Sequence, residues 1–310
     1  MSEVYFINGF LEGGKTTFIK DLLEKKYFKI KGRTLLIVCE EGDTDYEKDE
    51  LKKSKTDIEY IEHEKDFNEE YLTSLEKKYR PERVIVEYNG MWNRKDLEFP
   101  WYWEDVVEVA LYDASTFKLY ADNMRSILAE HVRKAQIVVF NRCDEVRDKL
   151  ASYTRNIKAI NRSVNFVFKG KDGDILLDPD ESLPYDMTQN ELHLDDVGFA
   201  VLCIDALERY DRYEGKKIHF TARAYKMKGD DEFQFVSGRY IMTCCAADLT
   251  FVGMISSYFK AYELENKEWV NVTGIIKVVY DSEMKRKVPV CRVIELEKAK
   301  QPEEEIISLL

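Results

Sequence analysis

Residues 4–17 read Val4-Tyr5-Phe6-Ile7-Asn8-Gly9-Phe10-Leu11-Glu12-Gly13-Gly14-Lys15-Thr16-Thr17. Gly9 to Thr16 fit G-x-x-x-x-G-K-[ST], directly after the apolar run Val4 to Ile7. A helical pattern follows, with Phe18, Ile19, Leu22, Leu23 and Tyr27 on one side and Lys20, Asp21, Glu24 and Lys25 on the other. Strand, glycine loop and helix in that order are the context the motif requires. Glycines let the loop fold tightly, so successive N–H groups point inward at a phosphate chain, and the helix N-terminus adds partial positive charge. On this reading Gly9, Glu12, Gly13, Gly14, Lys15, Thr16 and Thr17 bind a nucleotide. Lys15 reaches the β- and γ-phosphates, and the Thr16 hydroxyl completes a Mg²⁺ shell.

Beyond this segment, short apolar runs recur at Leu35 to Val38, Ile58 to Ile61, Val84 to Val86, Val106 to Leu111, Ile137 to Phe140 and Val164 to Phe168, with amphipathic stretches between several of them. This strand-helix alternation predicts an α/β P-loop fold, a mostly parallel sheet covered by helices on both faces, over residues 1–170. Ligands in such sheets bind beyond the carboxyl ends of the strands.

Two of those strand ends carry further chemistry. Val84 to Val86 deliver Glu87-Tyr88-Asn89-Gly90, an E-x-x-G in which the carboxylate can hold a Mg²⁺-bound water and the Gly90 N–H can sense a γ-phosphate. Ile137 to Phe140 deliver Asn141-Arg142-Cys143-Asp144, which fits N-[KR]-x-D. The Asp144 carboxylate can accept from guanine N1–H and its exocyclic amine, and an adenine there would leave it desolvated and unpaired. Asn141 supports the loop and base edge, and the Arg142 stem covers a base face. A small-molecule kinase would use the same phosphate loop but has no need of N-[KR]-x-D.

Composition narrows the classes further. The chain has 310 residues, 45% hydrophobic and 34% charged, with a net charge of −12. That length suits two domains, and the acidic balance disfavours a nucleic-acid partner. No secretion signal precedes the first strand, and no apolar run approaches bilayer length; the longer ones, such as Ile137 to Phe140 and Phe199 to Ile204, are strand-sized. A cytoplasmic, not membrane-spanning, protein is expected. The six cysteines (Cys39, Cys143, Cys203, Cys244, Cys245, Cys291) form no C-x-x-C pair and read mostly as buried thiols.

Beyond residue 170 an Asp-, Gly- and Pro-rich stretch predicts a linker over 171–198. Strand-like runs follow at Ile218 to Met227, Phe233 to Cys245, Thr250 to Phe259, Trp269 to Tyr280 and Val288 to Leu296. They predict a small β-rich, OB-like domain over 199–300, and 301–310 read as a tail.

The three motifs together resemble the CobW-type GTPases, a P-loop family linked to metal insertion and homeostasis. "INGFLEGGKTTFIKDLL" (7–23), "EYNG" (87–90), "LYDASTF" (111–117) and "KAQIVVFNRCD" (134–144) are similar to the family's phosphate loop, E-[ST]-[ST]-G, V-D-A-x-x-F and A-D-x-x-x-x-N-K-x-D segments. The resemblance implies GTP hydrolysis coupled to delivery of a metal, commonly zinc or cobalt. The family's C-x-C-C metal motif is missing here, since no cysteine lies between Cys39 and Cys143. The family's first switch corresponds to "VCEEGDTDYE" (38–47), where Glu40, Glu41, Asp43 and Glu47 are each candidates to orient an attacking water.

The second half resembles YcgQ-like proteins, which are associated with a permease and zinc-responsive regulation. "GRYIMTCCAADLTFVGM" (238–254), "EWVNVTGII" (268–276), "VPVCRVIELE" (288–297) and "QPEEE" (301–305) carry the likeness. Cys244, Cys245 and Asp248 are candidate Zn²⁺ ligands, although neighbouring strand residues face opposite ways unless a bulge intervenes. His219 and Cys291 could approach in the fold, while His63, His131 and His193 read as surface or capping residues.

The expectation is a Mg²⁺-dependent GTP hydrolase binding GTP and GDP, with Lys15, Glu87 and Gly90 at the reacting end. It would act in zinc or cobalt homeostasis with a metal-receiving protein or a permease as partner. The competing class is a GTP-sensing binding module with negligible turnover that docks such a partner.

Overall fold

In the computed structural model the described residues are 2–308, except 41, 43–44, 96, 178–182, 228–231, 243–248 and 283. The chain divides into two compact units, Met1–Leu176 and Leu177–Leu310.

The first unit is built on an eight-stranded sheet. Its strands are β1 (Glu3–Asn8), β2 (Thr34–Val38), β3 (Thr56–Tyr60), β4 (Arg83–Glu87), β5 (Val106–Asp113), β6 (Ile137–Asn141), β7 (Asn165–Gly170) and β8 (Gly173–Asp174), in the order β3-β2-β4-β1-β5-β6-β7-β8. Neighbours from β3 to β7 are parallel, and β8 folds back antiparallel on β7. Alternate residues of each strand feed two cores: Leu35, Ile37, Val84 and Val86 one face, Leu36, Val38, Ile85 and Val139 the other. Burying a side chain of that size contributes about 1.5–3 kcal/mol.

The covering helices are α1 (Lys15–Glu24), α2 (Lys48–Lys53), α3 (Glu69–Tyr79), α4 (Phe117–Asn123), α5 (Arg125–Val132) and α6 (Arg147–Ile160). α1 turns Ile19 and Leu23 inward, one turn apart. α3 starts where the Asn68 side chain accepts the Tyr71 N–H at 2.9 Å and stops at Arg80 in the left-handed region.

The second unit is a five-stranded closed barrel with additions. Its strands are β9 (Glu191–His193), β10 (Lys217–Lys226), β11 (Gln234–Met242), β12 (Leu249–Ser257), β13 (Glu268–Asp281), β14 (Arg286–Lys298) and β15 (Ile306–Ser308). The cycle β10-β11-β12-β14-β13 closes by antiparallel pairs except for the parallel β12–β14 step. That is the strand order of an OB-like Greek-key barrel, the architecture the five runs predict. β10 alternates strictly, burying Ile218, Phe220, Ala222 and Ala224. A register shift falls between Thr273 and Gly274, where a Cβ on Gly274 would stand 2.4 Å from the Cys291 Sγ.

Three expectations are corrected here. Phe199 to Ile204 are no strand but lie in α7 (Asp196–Asp205), buried from Gly198 to Cys203. Continuous burial leaves no polar face to betray a helical period. The local signal was the cap, since Asp195 accepts the Gly198 N–H at 2.6 Å. The stretch read as a linker holds β8, β9 and the start of α7. The stretch read as a tail holds β15, which pairs parallel with β11 at Tyr240↔Ile306 and buries Ile307.

Candidate nucleotide site

β4 and β1 are neighbours and β6 follows one strand further on, beyond β5; all three end on the same edge of the sheet, so Gly9 to Thr17, Glu87 to Gly90 and Asn141 to Asp144 converge there. The loop after β1 is held by steric need. Gly9 has φ 131° and Gly14 φ 89°, and a Cβ on Gly9 would meet the Leu111 carbonyl oxygen at 2.0 Å. Glu12 takes φ 61°, an uncommon conformation for a residue with a side chain.

Lys15 opens α1 yet is only 4% exposed. Its ammonium donates to the Gly9 carbonyl at 2.8 Å and to the Phe10 carbonyl at 3.0 Å, and it pairs with the Glu40 carboxylate. Among the described residues of that acidic segment, Glu40 therefore stands beside the loop lysine. Glu47 is exposed at the start of α2, and Glu41 and Asp43 lie outside the described residues.

Next to it the Thr16 hydroxyl donates to Glu87 Oε1 at 2.6 Å, and the Tyr46 hydroxyl donates to Oε2 at 2.5 Å. Glu87 is 2% exposed. Burial pushes its carboxyl above the usual range, against the lowering effect of the two hydroxyls and Lys15. Because Thr16 gives its proton to Glu87, its lone pairs are free to face a cation. Two hard oxygen donors on a desolvated carboxylate fit a magnesium ion. Thr16, Glu40, Tyr46 and Glu87 line a cavity of about 730 Å³.

Gly90 approaches the phosphate loop so closely that a Cβ would lie 2.0 Å from the Gly9 carbonyl oxygen. Its own carbonyl is 2.9 Å from His131 Nε2. His131 is not a surface residue but a buried one, packed edge-on against Phe10 with ring centroids 4.9 Å apart. Burial pushes its pKa down to about 3, so the ring is neutral and Nε2–H is the donor to Gly90.

At the other end of the loop, Gly14, Thr17, Asn141, Arg142, Asp144 and Lys171 line a cavity of about 430 Å³. Asn141 Nδ2 donates to the Gly13 carbonyl at 2.7 Å, and Arg142, at φ 55°, donates to the Glu12 carbonyl at 3.2 Å and to Asp113 at 2.5 Å. The base loop is thus tied to the phosphate loop. The Arg142 guanidinium is engaged by these partners. Asp144 accepts the Lys171 main-chain N–H at 3.2 and 3.1 Å, an amide donor of the kind a guanine edge offers.

Sequence reasoning did not find Tyr46, His131 or the Lys171 amide. Their only local signals are position: Tyr46 in the acidic switch segment and Lys171 just past a strand end. Cys244, Cys245 and Asp248 lie outside the described residues. Cys39, Cys143, Cys203 and Cys291 are buried and in no disulfide, and burial pushes Cys143 and Cys291 up to about 12. Cys291 lies against Gly274 and Ser256, whereas His219 has Thr273, Glu191 and His193 as partners.

A family model described as the CobW/HypB/UreG nucleotide-binding domain matches residues 3–168, more than half of the chain. Another, described as the DUF1980 C-terminal domain, matches residues 178–307. Both resemblances read from the motifs are borne out. The UPF0703 protein YcgQ of Bacillus subtilis (strain 168) is 27% identical over 90 residues, 29% of this chain and 32% of that protein. The chain thus spans about a third of the length of that curated relative. Among solved structures, the hydrogenase maturation factor HypB from Archaeoglobus fulgidus is 14% identical, covers 55% of this chain and 82% of its own, and has a TM-score of 0.42. The Zn(II)-bound YjiA GTPase from E. coli is 16% identical over 57% of this chain and 60% of its own, with a TM-score of 0.40.

Proposed function

Because the chain belongs to the CobW/HypB/UreG nucleotide-binding family, its first unit is a GTP hydrolase, and we propose that it works with magnesium in the handling of a metal such as zinc or cobalt. The observation that carries the site assignment is the single cluster Lys15, Thr16, Glu40, Tyr46 and Glu87 at the mouth of the glycine loop.

Lys15 releases Glu40 and turns its ammonium to the β- and γ-phosphates, where it offsets charge that develops on their oxygens. Thr16 and Glu87 would hold the magnesium ion, which would supply positive charge against the phosphate oxygens. Tyr46 keeps Glu87 aimed, and the Gly90 N–H faces the γ-phosphate while His131 holds the following peptide through the Gly90 carbonyl. Asp144 reads the guanine edge, with Asn141 and Arg142 bracing its loop against the phosphate loop. Glu40, once released, is a carboxylate of the switch segment beside Lys15.

Nucleotide state would then alter what the second unit binds, a metal-receiving protein or a permease. Among the described residues no helix is long and apolar enough to cross a membrane. A second reading, a GTP-sensing switch with negligible turnover, is favoured by one fact: Glu40 is tied to Lys15 rather than held toward a water. Phosphate release at saturating GTP and Mg²⁺, with and without Zn²⁺, separates them. Turnover that Lys15→Ala abolishes is expected for the hydrolase, and absence of turnover under every metal leaves the switch.

A further inference from the structure

We propose that Glu191, His193 and His219 form a binding site for one divalent transition-metal ion of zinc-like ligand preference, on the outside of the barrel in the second unit. The three ligand atoms lie within 4.8 Å of one another. These residues are none of those that line the nucleotide site.

The strand geometry makes the convergence. β9 pairs parallel with β10 in the register Glu191↔Lys217 and His193↔His219, and alternate residues of a strand share a face. Glu191, His193, Lys217 and His219 therefore project together. The imidazoles stack with centroids 4.3 Å apart and planes within 7°.

His219 is also oriented from behind. Thr273 stands opposite it on β13, and Thr273 Oγ1 lies 2.9 Å from Nδ1. Without an ion Nε2–H donates to Glu191; when an ion binds, the Thr273 hydroxyl can accept Nδ1–H and hold the tautomer whose Nε2 lone pair faces the metal, the usual arrangement behind a metal-ligating histidine. Glu191 Oε1 sits 2.6 Å from that Nε2. Ligands of a tetrahedral ion with bonds of about 2.0–2.1 Å stand somewhat farther apart, so Glu191 must swing outward. It is free to do so, being exposed, as is His193.

Two imidazoles and a carboxylate suit zinc and its neighbours better than calcium or magnesium. Three protein ligands leave a position open, as fits an ion that exchanges. The competing occupant is internal: the Lys217 ammonium lies 2.9 Å from Glu191 Oε1. An incoming ion must displace it.

The test uses the full chain, stripped of metal by a chelator and titrated with Zn²⁺ against a chromophoric competitor. The parent should bind one equivalent more than a His193→Gln, His219→Gln double variant, which makes the count independent of any thiolate site. Thr273→Val should weaken that equivalent by roughly tenfold. Lys217→Met should tighten it several-fold, a gain that a plain surface ion-pair network would not give. Equal stoichiometry in the parent and a folded double variant overturns the proposal, as does unchanged affinity in Lys217→Met. Should the double variant not fold, the imidazole resonances of His193 and His219 in the parent decide. A shift of both with the first equivalents of Zn²⁺ supports the site, and no shift overturns it.

Discussion

Glu87 shows how one side chain can oppose folding and serve chemistry. Its carboxyl is held above the usual value of 4.5 chiefly by burial, so the folded state binds its proton more tightly than the unfolded chain does. Its contribution to stability is therefore greatest at low pH and is lost as pH rises through the unfolded and then the folded value. Glu87→Gln should remove that slope. Without nucleotide at pH 7.5 it should melt roughly 2–4 °C higher, the shift that about 1 kcal/mol gives a unit of this size. Turnover should fall by at least about 100-fold, the scale of losing a group that holds charge at the reacting end. Melting curves from pH 4 to 8 and a phosphate-release assay check both halves; a variant that melts lower throughout would mean the charge stabilises the fold. Asp144 carries the second prediction at this scale. Asp144→Asn should cost GTP at least about tenfold in affinity, since one charged hydrogen-bonding pair is worth about 1.5–3 kcal/mol. It should gain for xanthine nucleotides, whose exocyclic oxygen needs a donor. Parallel titrations with the two nucleotides read the exchange, and an unchanged preference removes Asp144 from base recognition.

The three loops of the site could be read in the sequence because each is contiguous and directly follows an apolar run. Gly9 to Thr16, Glu87 to Gly90 and Asn141 to Asp144 need only their own strand to be placed at the carboxyl edge. What ties the loops together was not readable. Asn141 bonds Gly13 from 128 positions away and His131 bonds Gly90 from 41, and both bonds depend on strand order, which apolar runs do not encode. The same holds for α7, whose even burial hides its period, and for β15, whose three residues have meaning only beside β11. Gly90 is where these hidden contacts can be probed. A Cβ there would stand 2.0 Å from the Gly9 carbonyl oxygen, and both sides of that contact are backbone. Gly90→Ala must therefore push the E-x-x-G turn away from the phosphate loop. Turnover should drop at least about 100-fold, since a displacement of about 1 Å at a reacting centre costs that much. GDP, which lacks the γ-phosphate, should lose far less affinity than a non-hydrolysable GTP analogue. Equal loss for both would place the damage in the loop as a whole rather than at the γ-phosphate.

Two units on one chain make a regulated device only if the free energy of one depends on the state of the other, and such linkage is reciprocal. Arg239 gives a handle on the second unit alone. It is 1% exposed, donates to Asp196 at 2.7 and 3.2 Å and to the Glu304 and Glu305 carbonyls at 2.7 and 3.3 Å, and lies 4.9 Å from the Trp269 ring. It thereby joins the start of α7 and the C-terminal strand to the barrel. Arg239→Ala should destabilise this unit by about 2–3 kcal/mol, less than for a fully buried pair because the Asp196 side chain is 41% exposed. In calorimetry of the full chain that loss should appear as one transition lowered by roughly 8–12 °C, with the transition that GTP raises left in place. Below both transitions, the ratio of GTP to GDP affinity should still change, by about fivefold or more if the relay is of ordinary strength. The ratio is the decisive reading, because a loss of stability confined to the barrel cannot move it. A ratio equal to that of the parent would mean that the second unit is carried by the GTPase without answering to its nucleotide.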